Sequence, residues 1–132
     1  MLRDYLFVAM GGALGSVARF WLGGLVANLA GETFPFGTLF VNVTGSFAIG
    51  FIAAMTGPEG RWLALPALRT FVAVGICGGY TTFSAFSLQT LALIQTRQWT
   101  HAGWNVLGSF ALCLIGVGLG SLLGGLFNPR VH

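Results

Sequence analysis

The chain has no lysine, and its charged residues are few: Arg3, Asp4, Arg19, Glu32, Glu59, Arg61, Arg69, Arg97 and Arg130. A soluble domain is roughly 25% charged; here the share is 7%, against 55% hydrophobic, which excludes an ordinary soluble fold. The arginines are scattered, so the net charge of +3 points to no nucleic-acid partner. No aspartate or glutamate falls inside an apolar segment, which argues against a proton-coupled antiporter built on a membrane carboxylate. His101 and His132 sit at a segment end and at the terminus, so neither a proton relay nor a metal cluster is expected. Walker, HExxH and Ser/His/Asp patterns are all missing, which argues against an enzyme. The two cysteines, Cys77 and Cys113, lie within apolar runs and read as small packing groups rather than disulfide or metal partners. The first apolar run, Tyr5 to Leu29, is too long for a signal-peptide core of roughly 7–15 residues and has no convincing cleavage site, so it reads as a retained span.

What remains is apolar length. A helix needs about 20 residues to cross the hydrocarbon core, and four segments qualify: Asp4 to Asn28, Phe36 to Thr56 behind Pro35, Leu65 to Gln95 behind Pro66, and Thr100 to Phe127 ahead of Asn128-Pro129. The connections are short, and Trp62, Trp99 and Trp104 lie near segment ends as an interfacial belt would. The expected fold is therefore an all-α, single-domain membrane protein with four transmembrane helices over residues 1–132. As a straight helix the third segment would be about 46 Å long, against a core of roughly 30 Å. Gly75, Gly78 and Gly79 fall within five residues there, followed by two β-branched threonines. Each glycine weakens a helix by roughly 1 kcal/mol relative to alanine, so a break is expected across Gly78-Gly79-Tyr80-Thr81.

Each segment carries a small or polar face. Gly12, Ser16, Arg19 and Gly23 share one in the first segment, and Thr38, Asn42 and Ser46 one in the second. In the fourth, Asn105, Ser109, Cys113, Gly116, Gly120 and Gly124 form a seam. Small residues let membrane helices approach closely, and the glycines read as packing. The amides and hydroxyls need partners in a dry setting and carry more information. Asn42 offers N–H donors to an anion or an interhelical hydrogen bond. Arg19, the one charge deep in a segment, either attracts an anion or serves the structure by bonding carbonyls or snorkelling. Phe83 and Phe86 lie at i, i+3 on one face; ring edges carry partial positive charge, yet phenylalanines in membranes are mostly packing.

Three stretches carry a likeness. Gly11-Gly12-Ala13-Leu14-Gly15-Ser16-Val17-Ala18-Arg19-Phe20, Gly37-Thr38-Leu39-Phe40-Val41-Asn42-Val43-Thr44-Gly45-Ser46, and Gly75 through Ser87 resemble, in this order, the Fluc (CrcB) family of bacterial fluoride channels. The resemblance implies an antiparallel, dual-topology homodimer with two fluoride pores, sited in the bacterial inner membrane. It implies a sodium ion at the dimer centre, held by the backbone carbonyls of Gly78 and Thr81. It places Phe83, Phe86 and Asn42 in the pore, with Ser84 and Ser109 as a hydroxyl track; Thr38, on the Asn42 face, joins them as a candidate. Arg19 matches the arginine of the first motif and suits the pore entrance, because a fixed cation in the narrows would trap the anion. The family's pattern often has a glutamate where this chain has Gln89, which implies altered vestibule electrostatics. Fluoride is small and tightly hydrated, and a pore must replace its water with donors weak enough to release it.

Two further classes compete with a passive fluoride exporter. One is a small four-helix exporter of cationic compounds, which would need the membrane acid this chain lacks. The other is a non-transporting accessory subunit. Counted by the positive-inside rule, Arg3, Arg61, Arg69 and Arg130 share one side and Arg97 faces the other. That bias favours one orientation with cytoplasmic termini, whereas an antiparallel dimer needs two.

Overall fold

The computed structural model describes residues 1–57 and 65–128. It contains four membrane-length spans, Leu2–Ala30, Phe36–Met55, Pro66–Gln95 and Trp99–Phe127, close to the four apolar segments of the sequence. Trp62, Arg61, Arg130, Pro129 and His132 lie outside the described residues.

Helix α1 (Leu2–Ala30) ends where Gly31 turns to φ 88° and donates its N–H to the Ala27 carbonyl. Helix α2 (Phe36–Met55) starts directly after Pro35, and the Pro35 carbonyl accepts from the Leu39 N–H. The third span is composite. A short helix α3 (Pro66–Arg69), with proline in its first turn, runs into a π-helical stretch at Thr70–Cys77 and then into α4 (Gly78–Tyr80). Thr81 (φ −84°, ψ 158°) and Thr82 (φ −152°, ψ 114°) are extended. Helix α5 (Phe83–Gln95) follows, and α6 (Trp99–Phe127) closes the bundle. Gly78 and Gly79 are thus helical, and the non-helical residues are the two threonines after them. Nothing in the sequence announced the π-helical stretch.

Helix α6 lies along α2, while α1 packs on the first half of the third span and on α2. The contacts are made through glycine. A Cβ at Gly79 would lie 2.5 Å from the Gly12 carbonyl oxygen, and one at Gly124 would lie 2.6 Å from that of Phe51. At Gly120 a Cβ would collide with the Phe47 carbonyl, and at Gly45 with the Thr81 methyl. Lipid supplies no hydrophobic drive between helices, so close van der Waals approach of backbones holds such bundles together. Gly75 and Gly79 of the third span and Gly116, Gly120 and Gly124 of α6 therefore serve packing. Gly79 does not break its helix; it lets α1 touch it. The large apolar side chains, among them Phe20, Trp21, Phe110, Leu122 and Leu126, stay exposed on the outside, where lipid solvates them. Trp99 and Trp104 are exposed at the start of α6, as an interfacial belt requires.

The turn between α5 and α6 carries local strain. Arg97 sits at φ 59°. Its N–H donates to the Ile94 carbonyl at 3.0 Å, and the Gln98 N–H donates to the Leu93 carbonyl at 2.8 Å. This is the Schellman pattern, whose left-handed residue is ordinarily glycine. A side chain there costs roughly 1–2 kcal/mol. Arg97→Gly is expected to raise stability by up to about 1 kcal/mol, measured as the thermal midpoint of detergent-purified protein. A lower midpoint for the variant would count against the assignment of strain.

Candidate functional site

The two extended threonines leave backbone groups to satisfy at membrane depth. Asn42, on α2, meets this need. Its Nδ2 donates to the Thr82 carbonyl at 3.0 Å, and its Oδ1 accepts from the Thr82 N–H at 2.8 Å. One side chain thus closes both polar groups of one peptide residue. The Thr82 hydroxyl in turn accepts from the Ala85 N–H at 3.2 Å and caps α5. The same hydroxyl lies 3.3 Å from Ser84 Oγ.

These bonds divert donors from the helix. The Thr82 N–H would ordinarily run back to the Gly78 carbonyl, and the Ala85 N–H to the Thr81 carbonyl, in the i to i−4 pattern. Asn42 takes the first donor and the Thr82 side chain takes the second. The carbonyls of Gly78 and Thr81 are left without those helical partners. Gly78 is also open, since a Cβ there would meet nothing within 4 Å.

Two cavities flank this joint. A cavity of about 450 Å³ is lined by Asn42, Gly78, Thr81, Phe83, Phe86 and Ser109, with Cys77 and Cys113. A vestibule of about 1010 Å³ is lined by Ser16, Arg19, Glu32, Thr38 and Gln89 from α1, the α1–α2 loop, α2 and α5. Thr82 lines both. Among the described residues Arg19 has no ion-pair partner. Its charge faces the vestibule, not the cavity.

Asn42, Phe83, Phe86, Ser109, Gly78 and Thr81 come together on the smaller cavity, while Thr38 and Arg19 line the vestibule. Ser84 lines neither and stays exposed, tied to Thr82. Phe83 and Phe86 touch, with ring centroids 5.4 Å apart at 45°, but Phe83 is 74% exposed and Phe86 9%. Asn42 makes the interhelical bond of one of its sequence readings and also lines the cavity. Among the described residues Gln89 Oε1 is buried without a partner. Thr82 was missed by the sequence reading; its signal was a threonine directly before a helix restart, a preferred N-cap position. Asn105, read only as part of the α6 seam, is 2% exposed and donates to Thr90 Oγ1 at 2.9 Å, locking α6 to α5.

Four apolar helical spans of membrane length define a multi-pass α-helical membrane protein. Comparison with known proteins sharpens this. Residues 6–121 match the family model described as CrcB-like protein, Camphor Resistance (CrcB). The chain is 60% identical over 118 residues to the "Fluoride-specific ion channel FluC" of Opitutus terrae, covering 89% of each chain. It is 54% identical over 127 residues to the protein of the same name from Rhodospirillum rubrum, covering 96% of this chain and 98% of the relative. The corresponding protein of Methylocella silvestris is 48% identical, with 95% of each chain covered. The chain belongs to the CrcB family.

The joint makes a stability prediction. Asn42→Ala leaves the N–H and C=O of Thr82 without their partner, at roughly 1–3 kcal/mol for each group. Asn42→Asp keeps the acceptor but sets a second oxygen against the Thr82 carbonyl. Both variants are expected to unfold at lower temperature than wild type in detergent. A wild-type midpoint for Asn42→Ala would show that the clamp carries no stability.

Proposed function

We propose that the chain is a fluoride-selective channel that lets fluoride leave the bacterial cytoplasm passively, as a multi-pass protein of the inner membrane. The observation that carries this is the likeness of 48–60% identity, over nearly the whole chain, to proteins named fluoride-specific ion channels. That name is a channel's and not an enzyme's, in keeping with the missing catalytic motifs. The lining of the two cavities supports a path. Arg19 raises the local concentration of anions in the wide vestibule. Thr82 lines both spaces; in the smaller cavity Asn42 donors, the Ser109 hydroxyl and the edges of Phe83 and Phe86 would replace water around the ion. None of these is a full positive charge, so the anion is solvated without being trapped.

The finer parts of this reading concern the assembly. Phe83 and Gly78 are exposed, as are Ser84 and Ser87 on the same half of the span. Serine hydroxyls and an open glycine at membrane depth call for cover by protein. A second copy in antiparallel orientation supplies it, gives two symmetry-related pores, and brings the joint of one third span against the other. The freed carbonyls of Gly78 and Thr81 then meet near the dimer axis. They are hard oxygen donors and suit a sodium ion, whose charge would neutralise dipoles pointing into a dry interior. Irregular backbone at this depth is tolerated where it lines a site. Dual topology asks for a weak orientation signal, and the count of Arg3, Arg61, Arg69 and Arg130 against Arg97 runs against it; this part of the reading rests on the motif match instead.

Liposomes carrying the purified protein should release fluoride, read with a fluoride electrode, well above protein-free vesicles. Phe83→Ile should slow that release by more than about tenfold; efflux no greater than in empty vesicles from wild type would end the reading. For the assembly, Gly78→Val should fold as a protomer, because its Cβ meets nothing within one chain, yet lose the dimer and its sodium dependence. Multi-angle scattering that finds a wild-type dimer, together with unchanged sodium dependence of efflux, would remove Gly78 from the interface.

A further inference from the structure

The smaller cavity contains chemistry that fluoride passage does not use. Cys77 and Cys113, from the π-helical stretch and from α6, both line it, and both are free thiols. Cys77 is 7% exposed, whereas Cys113 is half-buried. One helical turn before Cys113 stands Ser109, more than nine-tenths buried. It lines the same cavity, and its hydroxyl is not among the hydrogen-bonded side chains of the described residues. An unpartnered hydroxyl and a thiol thus lie on one helical face at i, i+4 and open into one chamber.

We propose that Cys113 is a modification site for soft, thiophilic metal cations of the mercury(II) class, and that a cation bound there closes the path between Asn42, Phe86 and Ser109. The proposal rests on the channel reading. The other groups on the wall are carbon, hydroxyl, amide and carbonyl, which are poor ligands for a soft ion; thiolate is a strong one. A volume of about 450 Å³ admits a small organomercurial with its apolar methyl group among Phe110 and Leu114. In the step, methylmercury chloride meets the thiol, a bond forms between Sγ and mercury, chloride leaves with its electron pair, and the thiol proton passes to solvent. Nothing is oxidised or reduced. Ser109 stands one turn away on the same cavity wall. Cys77, more deeply buried, reacts more slowly.

The test uses the full-length protein in liposomes, with fluoride efflux and intact mass read on the same samples before and after methylmercury chloride. Wild type is expected to lose protein-dependent efflux by about tenfold or more as the first adduct forms, and excess dithiothreitol is expected to restore it. Cys113→Ser and Cys113→Ala should transport fluoride untreated and resist the reagent, while Cys77→Ser should remain sensitive. Block of both Cys113 variants to the wild-type extent would overturn the site. So would a wild-type protein that carries the adduct and still conducts. Untreated wild type that releases no fluoride would overturn the channel reading first, and with it any claim of closure.

Discussion

The interaction on which the rest depends is the pair of hydrogen bonds between the Asn42 amide and the backbone of Thr82. A helix that stops inside a membrane exposes N–H and C=O groups that lipid cannot satisfy, at several kcal/mol each. An asparagine side chain carries one acceptor and one donor group in the geometry of a peptide, so it serves as a substitute strand for one residue. Because it takes the Thr82 N–H, the Gly78 carbonyl loses its helical donor. Because the Thr82 hydroxyl takes the Ala85 N–H, the Thr81 carbonyl loses its own. One polar pairing thereby ends one helix, starts the next and releases two carbonyls, and the residue it holds lines both cavities.

The clamp works only if the third span is held at a set depth against its neighbours. The glycine contacts do this. Gly79 meets Gly12, Gly45 admits the Thr81 methyl, and Gly116, Gly120 and Gly124 bring α6 onto α2. Backbones at such short range leave little freedom to slide, since a shift of one residue would set a side chain where only hydrogen fits. Tyr80 and Thr44, with their hydroxyls 2.8 Å apart, add a polar tie beside the clamp.

Much of this was legible in the residues. Four spans follow from apolar length and from the scarcity of charge, and their bounds in the structure differ from the sequence reading by a few residues. Candidate residues Asn42, Phe83, Phe86 and Ser109 do gather around one cavity. The position of the irregular backbone was read less well. Glycine's low helix propensity drew attention to Gly78 and Gly79, but at Gly79 the packed neighbour Gly12 outweighs about 1 kcal/mol of propensity, and Gly78 continues the same turn. Both stay helical, and the extended pair is Thr81-Thr82. Thr82 was read only as one of two β-branched threonines and left out of the break and the site, because its importance lies in its backbone, which is the same for every residue type. The π-helical stretch left no mark in the sequence either, since its wider hydrogen-bond pattern has no characteristic composition.

Composition and motif order alone determined the class, the number of spans and the family, because solvation by lipid acts on whole segments and is read from averages. Which side of each helix faces which neighbour was decided only by the tertiary structure. That depends on which glycine meets which carbonyl, and on which amide reaches which backbone group. Those are distances between residues such as Asn42 and Thr82, forty positions apart, and no local pattern encodes them.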